Sequence, residues 1–199
     1  MPDHVLLLRA INLARRNRLA MADLRSLLID LGHSDPVTLL ASGDAMFRSS
    51  RRSRPALAAE IEAGLRERHD LDVTAFVLGP AELAAVVAGN PFPDAVADPA
   101  LFAVAFLSAD LDPELVAGLD PAAYEPDRFA VGSRALYLWY RGGYHGTQIS
   151  AATWEKFGVR ATARNWTTVM KLHGLAQQRA AVRTAERRER NVPFPGLPR

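Results

Sequence analysis

Apolar residues along this chain recur in two rhythms, short unbroken runs and spacings of three and four, and their order can be read twice. The first run, His4–Arg9, suits a buried strand, and the stretch Asn12–Arg18 after it is charged enough to be a surface loop. Met21, Leu24, Leu27, Leu28 and Leu31 fall at helical spacing, with Gly32 as the left-handed stop. Val37–Leu40 and Ala45–Phe47 are short β runs around Ser42-Gly43-Asp44, which predicts a hairpin. Beyond the Arg-rich loop 48–54, Leu57, Ile61 and Leu65 stand four apart behind Pro55, a residue suited to a first helical turn. Val73–Leu78 is the next β run, closed by Gly79-Pro80.

The order is β-α-β-β-α-β, which predicts a split βαβ, ferredoxin-like half over residues 1–79. Residues 80–93 read as a connector: a helical stretch to Ala88, then Gly89-Asn90-Pro91-Phe92-Pro93. Over residues 94–178 the pattern starts again, with a strand at Leu101–Leu107, a helix at Pro113–Leu119 and strands at Phe129–Val131 and Ala135–Tyr140. Helices at Ser150–Phe157 and Trp166–Gln178 flank a last short strand candidate, Val159–Thr162. Four arginines between 181 and 190, then three prolines, predict a frayed helix end followed by disorder, so residues 179–199 are expected to be a basic, disordered tail. The fold expected is α+β: tandem ferredoxin-like halves, each an antiparallel sheet with helices packed on one face.

Composition narrows the chemistry. With 199 residues and 49% hydrophobic content the chain can bury a core. It has no cysteine, which excludes disulfides, a thiol nucleophile and Cys-based metal centres. Val5–Leu8 is too short for a signal-peptide core, and no segment approaches the roughly 18 apolar residues of a membrane span, so a cytoplasmic location and no membrane partner are expected.

The net charge of +2 hides a segregation: residues 1–54 carry +4, residues 55–130 carry −11 and residues 131–199 carry +9. Basic ends brought together by the fold would form a face for an anionic ligand or nucleic acid, or would neutralise the acidic middle within the molecule. The candidate binding residues are Arg9, Asn12, Asn17 and Arg18 in the first loop with Arg164, Asn165 and Lys171 near the C-terminus. Arginine offers a planar fork to carboxylate or phosphate, and the free N–H groups of a helix start favour an anion. The structural alternative is that Asn165 caps the last helix and Arg164 pairs with a nearby carboxylate.

Other constellations are thinner. Trp139, Tyr140, Tyr144, Trp154 and Trp166, interleaved with Arg134, Arg141 and Arg160, would stack bases if they shared one face, or else pack a core. His4, His33, His69, His145 and His173 lack metal-ligand spacing, so neither a metal nor a cofactor is expected. Ser42, Asp44 and a distant His145 can be drawn as a hydrolytic trio, as chance allows in any chain of this length.

Several segments carry a resemblance over residues 4 to about 177. They are LLLRAIN at Leu6–Asn12 with RNRLAM at Arg16–Met21, SGDAMF at Ser42–Phe47, NPFP at Asn90–Pro93 and TARNWTTVMKL at Thr162–Leu172. They resemble the bacterial "domain of unknown function 1697" family, which implies two ferredoxin-like halves and no established activity. The chain departs from the family pattern with Ala10 for Gly, Ala14-Arg15 for a Gly pair, Asp44 for Asn, Thr167 for Asn, and Gly146–Ser150 in place of a basic segment. Alanine at position 10 predicts a negative φ there. Three functions fit: a non-enzymatic module binding nucleic acid or a phosphorylated small molecule, a metal-independent enzyme acting on a phosphate-bearing metabolite, or a homo-oligomeric scaffold.

Overall fold

The computed structural model describes residues 1–12, 17–144, 147, 149 and 158–190, with side chains as far as 186. Its first half runs β1 (Asp3–Leu8), α1 (Met21–Asp30), β2 (Ser34–Leu39), β3 (Asp44–Arg48), α2 (Arg54–His69), β4 (Ala75–Leu78). Then follow α3 (Pro80–Ala88), a 3-10 turn (Pro93–Ala97), β5 (Phe102–Leu107), α4 (Pro113–Ala117), a second 3-10 turn (Pro121–Tyr124), β6 (Arg128–Gly132), β7 (Ala135–Trp139), β8 (Ala161–Asn165) and α5 (Trp166–Arg190). The helix expected at Ser150–Phe157 lies outside the described residues.

The protein is α+β, with two four-stranded sheets ordered β2-β3-β1-β4 and β6-β7-β5-β8. Every neighbouring pair is antiparallel. Pro36 sits in β2, an edge strand, where a missing N–H breaks no ladder. A register shift between Ser34 and Val37 accommodates it, with Asp35 at φ +51°.

Helices cover both faces of the first sheet, where one face was expected. On the outer face Leu6, Leu8, Phe47 and Val77 pack against Leu24, Leu27 and Leu28 of α1 and Leu57, Ile61 and Leu65 of α2. On the inner face Val5, Leu7, Met46, Phe76 and Leu78 join Phe102, Val104 and Phe106 of β5 and Tyr137 of β7 in one core shared by the two halves. Leu83 and Val86 of α3 and Trp166, Val169 and Leu172 of α5 complete it. Residues of β5 that point the other way, Ala103, Ala105 and Leu107, bury against Leu111, Ile149 and Val159. Two-sided burial is why β1 and β5 are unbroken apolar runs instead of alternating strands. Each fully buried aliphatic side chain in them contributes about 1.5–3 kcal/mol of transfer free energy.

The helix expected over Pro80–Ala88 is α3, and Leu83, Val86 and Phe92 of segment 80–93 supply apolar surface to the shared core. The tail expected from residue 179 is helix as far as Arg190, because a buried carboxylate holds it: Arg179 Nε lies 2.9 Å and Arg183 Nη1 3.2 Å from the two oxygens of Asp3. Arg179 Nη1 also donates to the Asp35 carbonyl at 2.9 Å. Residues 191–199 lie outside the described residues.

Candidate functional site

The end of β1 and the end of β8 meet, which brings the first loop and Arg164 together. Arg164 Nε donates to Asp44 Oδ1 (2.7 Å), Nη1 to Thr162 Oγ1 (2.9 Å) and the Ala163 carbonyl (2.8 Å), and Nη2 to the Leu8 carbonyl (2.6 Å). Asp44 is fully buried at the start of β3, and its second oxygen accepts from Ser42 Oγ at 2.7 Å. Four of the five guanidinium N–H groups are thereby engaged within the chain.

The asparagines are similarly committed. Asn12 Nδ2 donates to the Leu19 and Ala41 carbonyls (3.0 and 2.7 Å), and its Oδ1 accepts from the Leu19 N–H (2.9 Å). Asn17 Nδ2 donates to the Ala10 carbonyl (3.1 Å), and Asn165 Oδ1 caps α5 by accepting from the Thr168 N–H (2.9 Å). Arg9 is half-buried with its N–H on the Thr74 carbonyl, while Arg18 and Lys171 are exposed. Ala10 stands at φ +58°, so the negative φ expected from its side chain is corrected. Ala10 follows Arg9, whose N–H bonds the Thr74 carbonyl, and its own carbonyl is held by Asn17 Nδ2, so the alanine side chain bears the left-handed backbone at a steric cost.

A second constellation lies between the halves. A cavity of about 300 Å³ is walled by Phe76 and Leu78 of β4, Val86 of α3, Phe106 of β5, Val131 of β6 and Tyr137 of β7. Tyr137 Oη donates to the Val86 carbonyl at 2.8 Å, and burial pushes its phenol above the usual value. A smaller hollow adjoins it, sharing Phe76, Val77 and Arg134 and bounded by Pro55 and Ala58 of α2, Glu62, Ser108 and Arg160.

Three arginines surround these hollows. Arg134 is set in the turn between β6 and β7 at φ +48°, its N–H held by Asp110 Oδ1 at 2.7 Å and its Nη2 3.4 Å from the Ser108 carbonyl. Arg160 is fixed on the other side of Ser108, whose Oγ accepts its N–H at 3.0 Å. Among the described residues the nearest carboxylates to these two guanidinium groups, on Glu82 and Glu62, are each 3.8 Å away, and both already accept backbone N–H groups, from Gly79 and Ala75. Arg54 pairs closely with Glu82. Exposed pairs at such separations are weak, so Arg134 and Arg160 can exchange them for a ligand anion. No spacing in the sequence links Arg134, Arg160 and β4; the crossing of two halves does.

The aromatic residues do not share a face. Trp166 packs in the shared core on Phe102, 4.9 Å between ring centroids, whereas Tyr140 belongs to the outer core of the second sheet. Trp139 is half-buried beneath Arg141, and Trp154 lies outside the described residues, as does His145 of the drawn trio. Among the described residues no group of three or more His, Asp or Glu is placed to hold a metal ion, and no helix is long and apolar enough to cross a membrane. His4 and His33 are buried around the ring of Phe47, with centroids 5.4 and 4.8 Å away. Burial lowers both imidazole pKa values, with Glu60 opposing it at His33 and the Arg51 backbone opposing it at His4.

The fold is similar to that of a solved structure, a conserved bacterial protein from Streptococcus pneumoniae. That chain is 20% identical, with a TM-score of 0.70 over 89% of this chain and 99% of that one. No curated protein matches the chain. The family model described as "Protein of unknown function (DUF1697)" matches residues 1–137, more than half of the chain, and the protein belongs to that family.

Proposed function

We propose that the protein is a binding module for a small anionic amphiphile, held between its halves with the apolar part against Phe76, Phe106 and Tyr137 and the anion on Arg134 and Arg160. The observation that carries this reading is a mostly apolar cavity of about 300 Å³ lined by Arg134 and Glu82, with Arg160 beside the adjoining hollow and each arginine 3.8 Å from its nearest carboxylate among the described residues. Its size is at the lower end of small-molecule sites, which favours a ligand with a short stem. The strand order common to both sheets supports reading the halves as tandem ferredoxin-like units that create the cavity by packing together. The cluster predicted from sequence, Arg9, Asn12, Asn17, Arg18, Arg164, Asn165 and Lys171, supports an anion less well, because Arg164 and the three asparagines already bond within the chain.

Isothermal calorimetry with 3-phenylpropionate and phenyl phosphate tests the reading. Saturable binding is expected at physiological salt, weakened at least tenfold by Arg134→Glu and by Ala85→Trp, which fills the cavity mouth from an exposed position on α3. Binding that either substitution leaves unchanged, or no binding at all, contradicts it.

A further inference from the structure

The cavity and its neighbour follow the whole of β4, a free edge of the first sheet: one touches Phe76, Val77 and Leu78, the other Ala75, Phe76 and Val77. The direction of the β4 peptide groups follows from the ladder. Arg9 N–H bonds the Thr74 carbonyl at 2.9 Å, and β1 pairs with β4 in the register Leu7 with Phe76 and Val5 with Leu78. Bonded pairs alternate in an antiparallel ladder, so Phe76 and Leu78 turn their peptide groups to β1 while Ala75 and Val77 turn theirs outward. Side chains satisfy the outward N–H groups at both ends, Glu62 at Ala75 and Glu82 at Gly79. Between them the N–H and C=O of Val77 face the groove.

We infer that this edge takes an extended peptide C-terminus as an added antiparallel strand, an inference that rests on the anion reading above. Three observations converge on that occupant. An incoming residue opposite Val77 exchanges both backbone hydrogen bonds with it, as strand addition requires. The two hollows lie on opposite faces of the sheet, one with inner-face Phe106 and Tyr137, the other with Pro55 and Ala58 of α2, so alternate side chains of an added strand enter them in turn. An antiparallel strand ends beside Ala75, the end at which Arg160 stands 3.8 Å from Glu62, and there Arg160 and Arg134 flank Ser108. A terminal carboxylate would meet the Arg160 guanidinium there, while Arg134 reaches from the Ser108 carbonyl to within 3.8 Å of Glu82 at the Gly79 end and borders the path of the strand.

The test is fluorescence anisotropy of the full chain with a fluorescein-labelled peptide, Gly-Ser-Leu-Thr-Val with a free C-terminal carboxylate. Saturable binding is expected, weakened at least tenfold by C-terminal amidation and by the Arg134→Glu Arg160→Glu variant. A series in which single peptide nitrogens are methylated in turn should lose binding at alternate positions, since every second N–H points away from β4. An equally tight amidated peptide, or uniform tolerance of methylation, overturns the inference. If 3-phenylpropionate binds and the peptide does not, strand addition is wrong while the small-anion reading stands; if neither binds, both are wrong.

Discussion

Arg164 and Asp44, 120 residues apart in the chain, form a 2.7 Å ion pair with Asp44 fully buried and the arginine side chain only 11% exposed. The pair locks β3 of the first half to β8 of the second, and the Leu8 and Ala163 carbonyls take up further N–H groups of the arginine. Removing one partner strands the other charge out of water. Arg164→Ala is therefore expected to cost about 3–5 kcal/mol in urea unfolding, and Arg164→Lys much of the same, because a single ammonium cannot reproduce the fork. A loss below about 1 kcal/mol for Arg164→Ala would show that the pair does not join the halves.

Two backbone positions respond in opposite directions. Ala10 is held at φ +58° and is exposed, so Ala10→Gly should stabilise by about 1 kcal/mol as left-handed strain is released. Gly43 stands at φ +77°, and a Cβ there would lie 2.9 Å from that of Leu8, so Gly43→Ala should lower the melting temperature. Thermal unfolding of both variants checks the pair of predictions.

The two buried histidines give stability a dependence on pH. Their pKa values are lowered in the folded protein, so below about pH 6.5 the unfolded chain takes up protons that the fold refuses. That contribution is fully present above the unfolded value and is lost as pH falls through the window beneath it. Unfolding free energies measured from pH 7.5 down to about 5 should decline, and the decline should flatten in a His4→Leu His33→Leu variant. An unchanged slope in that variant assigns the pH dependence elsewhere.

A chain ending at Gln178 removes both Arg179 and Arg183 from Asp3, leaving this buried carboxylate with Arg48 Nε at 3.5 Å. The expected loss is about 2–3 kcal/mol. Stability equal to that of the 199-residue chain would contradict the tether.

Much of the architecture is legible in the sequence because local signals suffice for it. Leu24, Leu27 and Leu28 mark α1 by period, Gly32 ends it, and Gly43 marks the β2–β3 hairpin through a φ that favours glycine. What is not legible is long-range. Arg179 and Arg183 look like a solvated charge run until Asp3 is seen beneath them, and α3 looks like a connector until Leu83 meets the second sheet. The candidate site suffers most. Arg164 and Asn165 stand out as polar residues at a helix start, yet their partners, Asp44, Leu8 and the N–H of Thr168, make them part of the framework. Arg134 and Arg160 carry no motif and gain meaning only where a turn and a strand start flank Ser108 beside β4.

The central claim, that a small anion binds between the halves, is tested most directly by following backbone amide resonances of the isotope-labelled protein during titration with 3-phenylpropionate. The account predicts saturable shifts concentrated at Val77, Ser108, Val131 and Arg134, with Asn12, Arg18 and Lys171 unmoved. Shifts concentrated at those three residues instead, or none at ligand concentrations in the millimolar range, would contradict it.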